Sequence, residues 1–331
     1  MKVLVTGATG GLGLNLVPYL LKKNIQVVAT GRNKKAGEIL SSLGAQFIAG
    51  NLEDQEIMNL CKGTEIVFHC GALASPWGKY QDFYKTNVIG TQNIVAGCLK
   101  HKVSRLIHIS TPSIYFDFTE KFNIKENAPL PSLPANHYIA TKLEAERIVD
   151  NAFKKEGLPV ITIRPRAIFG PYDDAIMPGI IRAARKRKMP LIADGNALID
   201  VTYVENVVKS LILAAEVSPK CLGKKYNITN DEPILLKNLL QKIFIALEIE
   251  FIPRKVSLSF AYFMAEIMEN FSKLSFYKYE PQLTRYSVGV LGLGQTLDIS
   301  AAKNDLHYAP RISLDEGVSR FANWWKHNDP Y

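Results

Sequence analysis

The chain has 331 residues, of which 47% are hydrophobic and 21% charged, so it can bury a large core and disorder is excluded as its default state. Its formal charge of +9 is compatible with an anionic partner, such as a phosphate-rich cofactor, an acidic substrate, nucleic acid or a membrane surface. Neither an aromatic-lined basic groove nor zinc-type spacing occurs, which argues against nucleic acid and metal as ligands. The densest basic run is typical of the solvated end of a helix and comprises Arg182, Arg185, Lys186, Arg187 and Lys188.

The N-terminal segment, residues 3–21, carries no charged residue. Its glycines interrupt the apolar run, which argues against a signal peptide or a membrane span. The cysteines show no paired spacing, which favours free thiols in a reducing compartment. They are Cys61, Cys70, Cys98 and Cys221. We therefore expect a mature N-terminus and a cytoplasmic protein.

Short runs rich in β-branched residues alternate with longer segments of helical period in the first half of the chain. The runs cover residues 2–6, 25–30, 46–48, 65–69, 105–110 and 160–163, and the helical segments include residues 12–23, 83–100 and 138–155. This alternation predicts an α/β fold, a doubly wound parallel sheet of the Rossmann type with ligands beyond the carboxyl ends of its strands.

The alternation becomes less regular in the second half of the chain. Helices are predicted over residues 175–188, 204–216, 234–246, 257–272 and 314–326, with short strands between them. We expect residues 1–165 to form the dinucleotide-binding domain, with residues 200–230 returning to it. The remaining segments, residues 166–199 and 231–331, are expected to form a smaller C-terminal substrate-binding cap.

A glycine-rich loop with the spacing Gly-x-x-Gly-x-x-Gly follows the first predicted strand and leads into an apolar helix. Gly7 and Gly10 allow the backbone to turn tightly and approach a pyrophosphate, Gly13 allows helix and strand to pack closely, and the helix N-terminus offers N–H donors. This order of strand, loop and helix predicts a dinucleotide site. Its predicted residues are Gly7, Thr9, Gly10, Gly11, Leu12 and Gly13.

The end of the second predicted strand bears on the choice of cofactor. An acidic residue there would bind the ribose of NAD, but no acid occurs before Glu38. Arg32 can instead pair with the 2′-phosphate of NADP, and Lys34 and Lys35 add positive charge, so NADP is favoured and NAD stays an alternative. Arg32 also fits a solvated loop cation. Later strand ends are expected to place Asn51 and Leu52 beside the adenine and Gly71 and Ala72 beside the dinucleotide.

Several further motifs follow in a fixed order. They are residues 69–72, 87–91, 110–115 and 138–142, and then Arg164-Pro165 leading to residues 169–171. Together with the glycine-rich loop they resemble the extended short-chain dehydrogenase/reductases over nearly the whole chain. Residues 74–78 and 200–206 are most similar to the 3β-hydroxysteroid dehydrogenase group, which includes bacterial reductases of long-chain 2-alkyl-3-keto acids.

The resemblance implies roles for individual residues. Tyr138 would protonate the carbonyl oxygen during reduction, while Lys142, one turn along the same helix face, would hold the nicotinamide ribose and lower the pKa of the tyrosine. Thr111 takes the place of the usual serine and would donate a hydrogen bond to the same oxygen, with Ser113 as the alternative; both also fit simple strand-end capping. Further residues implied at the cofactor are Asn87, Pro165, Ala167 and Ile168.

The nature of the substrate is predicted from two differences within the superfamily. Nucleotide-sugar epimerases and dehydratases commonly carry an arginine that clamps the nucleotide diphosphate, where this chain has Ile199-Asp200-Val201. Bulky apolar side chains in the expected pocket loops and in residues 260–268 suit a small hydrophobic substrate, although they also fit core packing or, less readily, contact with a membrane surface. The predicted substrate-binding residues are Ser75, Trp77, Ser113, Phe116 and Phe118.

These observations favour an NADP(H)-dependent oxidoreductase that interconverts a ketone and an alcohol on a steroid-like or long-chain 3-oxoacyl substrate. Two alternatives remain, a nucleotide-sugar epimerase or dehydratase and a non-catalytic dinucleotide-sensing protein. His69 and His137 are interpreted as structural. Family members often dimerise through the helices that correspond to residues 83–100 and 138–155, so a homodimer is an alternative to a monomer.

Overall fold

The computed structural model of the protein describes residues 1–186 and 189–328, so Arg187 and Lys188 of the basic run lie outside the described residues. The strands are β1 (Lys2–Thr6), β2 (Gln26–Gly31), β3 (Gln46–Ala49), β4 (Ile66–His69), β5 (Arg105–Ile109), β6 (Lys121–Ile124), β7 (Val160–Pro165), β8 (Ile168–Phe169), β9 (Pro190–Ile192), β10 (Leu198–Ile199), β11 (Thr202–Tyr203), β12 (Lys225–Ile228), β13 (Ile234–Leu235), β14 (Arg254–Val256) and β15 (Gln295–Leu297). The helices are α1 (Gly11–Lys22), α2 (Lys34–Ser42), α3 (Tyr80–Phe83), α4 (Gly90–Lys100), α5 (His137–Glu156), α6 (Met177–Arg185), α7 (Val204–Glu216), α8 (Leu236–Leu247), α9 (Leu258–Leu274), α10 (Arg285–Gly292), α11 (Ser300–Leu306) and α12 (Leu314–Asn328).

The main sheet is parallel throughout, with the strand order β12-β7-β5-β4-β1-β2-β3. From β1 the chain builds the sheet in one direction through β2 and β3, then crosses to β4 and continues in the other direction. The order therefore reverses between β1 and β4, where Thr6 pairs with His69. Ligands of such sheets bind beyond the carboxyl ends of the strands at this reversal. The predicted fold class, a doubly wound Rossmann-type sheet, is confirmed.

Apolar layers cover both faces of the main sheet. On one face, α1 and α7 pack against the strands through side chains such as Leu16, Leu20 and Leu211. On the other face, α4 and α5 contribute Ile94 and Val149. Because both faces are covered, the strands are continuous apolar runs, which is why short β-branched segments predicted them from the sequence.

A second core lies among α6, α8 and α12, and includes Ile181, Leu240, Phe244 and Phe321. Smaller sheets accompany it, of which the largest has the order β13-β10-β15-β6. Each helix predicted in the second half of the chain has a counterpart in the structure. The helix predicted over residues 234–246 differs at its start, because its first two residues form β13.

The helix predicted over residues 83–100 is also more complex than its periodicity indicated. Residues Tyr84–Ile89 form a π-helical stretch between α3 and α4. Such wide turns occur at functional sites more often than elsewhere, and this one carries Asn87, one of the predicted cofactor residues.

Helix α9 exposes an apolar face formed by Phe260, Phe263, Ile267, Phe271 and Leu274. Their spacing of three or four residues places them on one side of the helix. Within residues 1–186 and 189–328, every helix is too short or too polar to span a bilayer.

Candidate active site

Three loops meet at the carboxyl ends of β1, β3 and β4. Gly7 has a left-handed φ of 63°, and a β-carbon on it would lie 2.5 Å from the Cα of Gly71. A β-carbon on Gly71 would in turn lie 2.7 Å from Leu52 Cδ1. Glycine is therefore required at position 7, and at position 71 a larger residue would have to displace the side chain of Leu52. Asn51, the other residue predicted beside the adenine, is exposed and bonds to Asp54.

Helix α1 begins directly after this loop, with Gly10 as a cap that has no side chain to bond the first N–H groups. A β-carbon on Gly13 would overlap the backbone of Ala8, so the helix can lie this close to the strand only with glycine there. The crevice between the loops of β1 and β4, with backbone donors at its floor, fits the pyrophosphate of a dinucleotide. The predicted residues from Gly7 to Gly13 therefore surround one crevice.

The end of β2 lies beside the glycine-rich loop. A β-carbon on Gly31 would overlap the side chain of Thr9, and the exposed Arg32 follows immediately. Helix α2 then starts with Lys34 and Lys35, is capped by Asn33, and has no acidic residue in its first turn. The chain thus places cations at the positive end of a helix, a suitable environment for a phosphate group.

The predicted residues Pro165, Ala167 and Ile168 lie where β7 ends and the chain turns into β8. Ala167 has a φ of 41°, an unfavourable conformation for a residue with a β-carbon, and its carbonyl accepts a hydrogen bond from Thr202 N at 3.2 Å. The following loop returns to α1, where Asn15 Nδ2 donates to the carbonyls of Gly11 at 2.8 Å and of Pro171 at 2.9 Å. This contact ties the turn to the dinucleotide crevice.

Helix α5 supplies the predicted Tyr-Lys pair. Asn136 caps it by accepting a hydrogen bond from Ile139 N at 2.9 Å, which fixes Tyr138 in the first turn. Lys142, one turn later, is buried, and its ammonium donates to the carbonyl of Ile109 at 2.6 Å. The helix therefore brings both side chains to the carboxyl end of β5.

A row of hydroxyl groups extends from Tyr138, and we call it the hydroxyl row. The hydroxyl of Thr111 acts on that of Tyr138, and Thr111 Oγ1 donates to Ser113 Oγ at 3.0 Å. Tyr286 then donates to Ser113 Oγ at 2.8 Å. Thr111 also caps the short turn that follows β5 by accepting from Ser113 N at 3.1 Å, while its role toward a substrate oxygen stays a prediction.

The pKa of Tyr138 differs in direction from the sequence expectation. Burial raises it above its ordinary value of 10.0, and the hydrogen bond from Thr111 opposes the rise without cancelling it. Lys142 was expected to lower this pKa, but its ammonium is engaged by Ile109, and Thr111 is the group that lowers it. The physical reason is that spacing along a helix does not report desolvation. Tyr138 is therefore protonated at neutral pH.

Burial also lowers the pKa of Lys142 from 10.5 to about 8, although the charge of Glu146 opposes this change. Glu146 lies one turn further along α5 and forms a bidentate pair with Arg164, with distances of 2.8 Å to Nε and 2.6 Å to Nη2. Arg164 also bonds to Tyr115 and to the carbonyl of Glu126. This buried network connects β7 to the helix that carries the Tyr-Lys pair.

A cavity of about 530 Å³ opens beside the hydroxyl row, and its volume suits a small organic ligand. Tyr286, at the end of the row, lines it, and so does His137, the neighbour of Tyr138. Its apolar walls include Pro76, Trp77, Phe83, Phe118, Leu133 and Tyr277. Charged side chains at the cavity are Asp117, Glu269, Lys273 and Arg285.

The predicted substrate residues have different places around this cavity. Trp77 and Phe118 line it directly. Ser75 bonds to the backbone of Trp77 and supports its loop, and Phe116 packs edge-on against Tyr286 with ring centroids 5.4 Å apart. Both act one layer behind the cavity wall, while Ser113 belongs to the hydroxyl row.

The side chain of Asn87 joins two parts of the protein. Its side chain exchanges two hydrogen bonds with the backbone of Leu73 and donates a third to Thr141 Oγ1 at 3.1 Å. Both amide hydrogens are used by the protein. Asn87 therefore holds the loop after β4 against helix α5, and its contact with the cofactor stays a prediction.

Sequence reasoning missed Tyr286, Lys273 and Arg285, which form the far wall of the cavity. They come from α9 and α10, more than 130 residues after Tyr138 in the chain, and belong to no motif that the sequence displays. His69, interpreted as structural, bonds to Thr6 and Thr91, and burial lowers its pKa to about 3.

The fold and its dinucleotide crevice define an enzyme of the short-chain dehydrogenase/reductase superfamily, a class of nicotinamide-dinucleotide-dependent dehydrogenases and reductases. The family model described as "3-beta hydroxysteroid dehydrogenase/isomerase family" matches residues 4–258. The chain belongs to this family, and the resemblance inferred from its motifs is confirmed.

Three similar proteins match almost the whole chain. An uncharacterized protein of Escherichia coli (strain K12) is 37% identical over 98% of this chain and 97% of its own length. A 2-alkyl-3-oxoalkanoate reductase of Stenotrophomonas maltophilia is 33% identical over 97% of this chain and 98% of its own. A decarboxylating sterol-4-alpha-carboxylate 3-dehydrogenase of Mus musculus is 32% identical over 98% of this chain and 91% of its own.

Among solved structures, a UDP-glucuronic acid 4-epimerase from Bacillus cereus in complex with NAD is similar, with a TM-score of 0.79. It is 23% identical and the match covers 99% of each chain. At this identity the likeness concerns the fold alone.

Proposed function

We propose that the chain is an NADP(H)-dependent oxidoreductase that interconverts a ketone and a secondary alcohol on a hydrophobic, steroid-like or long-chain 3-oxoacyl substrate. The observation that carries this proposal is the hydroxyl row, which ends at Tyr286 in the wall of a cavity lined by both apolar and charged side chains. Tyr138 and Thr111 lie behind this wall, and we propose that the substrate's carbonyl reaches them from the cavity past Tyr286. The apolar walls would then hold the rest of the substrate.

The names of two relatives support the substrate class. A 2-alkyl-3-oxoalkanoate and a sterol 4-carboxylate with oxygen at carbon 3 share one element, an oxygenated carbon two bonds from a carboxylate carbon. In both molecules the remainder is apolar. We infer a substrate of this kind, a 3-oxo or 3-hydroxy acid with a large apolar group, for this chain.

The state of Tyr138 suits the reduction of a ketone. Because burial keeps its phenol protonated at neutral pH, Tyr138 can donate a proton to the carbonyl oxygen, while Thr111 donates a hydrogen bond to the same atom. A nicotinamide dinucleotide bound in the crevice supplies the hydride. The buried ammonium of Lys142, which donates to the carbonyl of Ile109, would hold the nicotinamide ribose one turn from Tyr138. In the reverse direction the phenolate of Tyr138 would receive the proton of the alcohol, and the raised pKa confines this form to alkaline pH.

The proton-transfer role is tested by Tyr138→Phe, which removes the hydroxyl and keeps the ring. NADPH binding should remain, while turnover falls by a factor on the order of 10² or more. Steady-state oxidation of NADPH against 3-oxo acids, steroid ketones and aldehydes measures turnover, and quenching of tryptophan fluorescence measures binding. Turnover equal to that of the unaltered enzyme would refute the role.

The preference for NADP is proposed from the cations at the end of β2. Arg32, Lys34 and Lys35 lie at the start of α2, where the helix end is positive and no acid is present to bind a ribose hydroxyl. These groups suit a 2′-phosphate.

The variant Arg32→Ala tests this preference. We expect the dissociation constant of NADPH to rise about tenfold, because one charge-assisted contact is lost, and that of NADH to change less than about twofold. Calorimetric titration of each dinucleotide measures both constants, and NADH serves as the control within the same variant. Tighter binding of NADH than NADPH by the wild type would contradict the preference.

A nucleotide-sugar epimerase receives less support. At the position of the diphosphate-clamping arginine, Ile199, Asp200 and Val201 are all buried, and Asp200 accepts a hydrogen bond from Leu297 N at 2.7 Å. This segment is part of the protein's core instead of a cationic binding surface.

A further inference from the structure

One side of helix α9 packs against the protein, and the opposite side is apolar and exposed. Four buried residues recur every three or four positions and so share one side of the helix. They are Ala261, Ala265, Glu269 and Ser272. The residue two positions after each of them lies about 200° around the helix axis, on the opposite side. These opposite residues are all large, apolar and exposed, and they are Phe263, Ile267, Phe271 and Leu274.

Two further side chains enlarge this apolar region. Phe260 lies nearly two full turns before Ile267 and so falls on the same side of the helix. Phe276, two residues after the end of α9, is 84% exposed, and Leu274 is 80% exposed. We call the six residues the α9 surface, and they are Phe260, Phe263, Ile267, Phe271, Leu274 and Phe276. Exposed apolar patches on monomeric proteins are rarely this large unless they bind another surface.

Neither a core nor the cavity accounts for the α9 surface. The cavity takes Glu269, Lys273 and Tyr277 from the same stretch of chain, and none of the six side chains lines it. All six remain exposed within the part of the chain that the structure describes. The cavity and the α9 surface therefore share one helix, but the surface is open to an external partner.

Exposed cations accompany the α9 surface at both ends of the helix. Arg254 lies in β14, before α9, Lys273 in its last turn, and Lys278 after it. Among the described residues, no carboxylate lies within ion-pairing distance of any of the three. Lys273 instead lies 5.8 Å from the ring centre of Trp77, and Lys278 lies 5.7 Å from that of Tyr279.

The carboxylates of α9 offset only part of this positive charge. Glu269 is buried and pairs with Arg285 at 2.9 Å, whereas Glu266 is exposed. The chain as a whole carries a formal charge of +9. An apolar helix side accompanied by cations, on a basic protein, is complementary to a lipid surface with anionic headgroups.

We propose that the α9 surface binds the protein to an anionic lipid bilayer, with α9 lying along the membrane plane. The apolar side chains would enter the boundary between headgroups and acyl chains, and Arg254, Lys273 and Lys278 would meet the lipid phosphates. A second copy of the chain fits less well, because a two-fold pair built on this surface would bring the same cations towards each other. The surface does not depend on the proposed reaction, but it would bring the cavity close to the phase in which a steroid-like or long-chain substrate dissolves.

Flotation with vesicles measures this binding. The full chain should float with vesicles of phosphatidylcholine and phosphatidylglycerol, and much less with phosphatidylcholine alone. Because salt screens the cations, binding to the anionic vesicles should fall about tenfold between about 0.1 and 0.5 M salt. Absence of binding to both kinds of vesicle at low salt would overturn the proposal.

A triple variant locates the binding surface. Phe263→Ser with Phe271→Ser and Leu274→Ser should lower the vesicle partition coefficient by a factor on the order of 10² or more, because three apolar side chains no longer enter the bilayer. The control is a second triple that changes exposed apolar residues of α2 and α8, and it consists of Ile39→Ser, Leu43→Ser and Ile245→Ser. It should bind within about twofold of the wild type. Equal losses in both triples would contradict the assignment to α9.

A tryptophan reporter tests the contact without removing apolar surface. In Phe271→Trp we expect the additional emission to move to shorter wavelength on vesicle binding, and to be quenched by lipids brominated on their acyl chains. Ile245→Trp, on α8, should show neither effect. Bound Phe271→Trp protein whose emission stays unquenched would overturn the proposal.

Two further measurements separate the α9 surface from a dimer interface and from the reaction. A dimer in light scattering that dissociates in the α9 triple, with no vesicle binding, would overturn the proposal in favour of a second copy. Vesicle binding by an enzyme that turns over no ketone or alcohol would support the surface and count against the proposed function. Turnover of a long-chain 3-oxo acid by an enzyme that binds no vesicles would overturn the surface and leave the proposed function intact.

Discussion

The protonation of Tyr138 depends on burial more than on its neighbour in the helix. The four-residue spacing to Lys142 led us to expect a lowered pKa, yet desolvation raises it. A protonated phenol is the form that a ketone reductase needs at the start of its reaction. We propose that the ammonium of Lys142 matters as the anchor of the nicotinamide ribose, so its own titration should be visible in the rate.

We expect kcat for ketone reduction to fall as pH rises through about 8, because burial lowers the pKa of Lys142 to that value and its cation is lost above it. The measurement is kcat against pH from 6 to about 10 at saturating NADPH. In Lys142→Arg the cation persists, so the decline near pH 8 should disappear even if the rate is lower throughout. A wild-type profile that stays level through this range would contradict the expectation.

At the scale of elements, the parts of the site that the sequence predicted are those built from neighbours in the chain. The glycine-rich loop and helix α1, and the Tyr-Lys pair on α5, each lie within one continuous segment. The far wall of the cavity comes from α9 and α10, which meet the hydroxyl row only through tertiary packing. The sequence likewise gave no sign that Asn87 bonds to Leu73 and Thr141, since those partners are set by a loop and another helix.

The link between β7 and α5 should contribute strongly to stability. Burial alone would raise the pKa of Glu146, but the hydrogen bonds and charge of Arg164 outweigh it and hold the pKa at about 2. This lowered pKa contributes stability above the ordinary carboxyl pKa of 4.5, and the contribution is lost as pH falls from there towards 2.

Glu146→Gln should lower the free energy of unfolding at neutral pH by about 3–5 kcal/mol, because it leaves Arg164 buried without its counter-charge. Its stability should also decline less steeply than that of the wild type between pH 4.5 and 2. Urea unfolding at several pH values measures both effects. The exposed Glu56→Gln is the control and should stay within about 0.5 kcal/mol of the wild type. A neutral-pH loss no larger than that of the control would contradict the expectation.

At the scale of the whole molecule, the chain passes repeatedly between the main sheet and the second core. It leaves the sheet after β7, returns with β12, and leaves again before α8. The division into a dinucleotide-binding domain and a cap stays a prediction, but these crossings argue that the two parts unfold together.

We expect one cooperative unfolding transition, raised in temperature by NADPH. The three tryptophans, Trp77, Trp324 and Trp325, lie in or against the C-terminal part, so their fluorescence reports on it, while far-ultraviolet circular dichroism reports on the whole chain. Both signals should change at one temperature, and NADPH at about 100 times its dissociation constant should add about 2.7 kcal/mol of stability. Two separate transitions, or a shift of one signal alone, would show that the parts unfold independently.

The side chain of Asn15 connects two parts of the molecule through hydrogen bonds. Its single amide joins the start of α1 to the carbonyl of Pro171, and so holds the loop that follows β8 at a fixed distance from the start of α1. A fixed distance between two binding regions selects ligands by their length, because only a molecule long enough to reach both regions gains contacts at both. Each half of a dinucleotide taken alone should therefore bind far more weakly than the intact molecule.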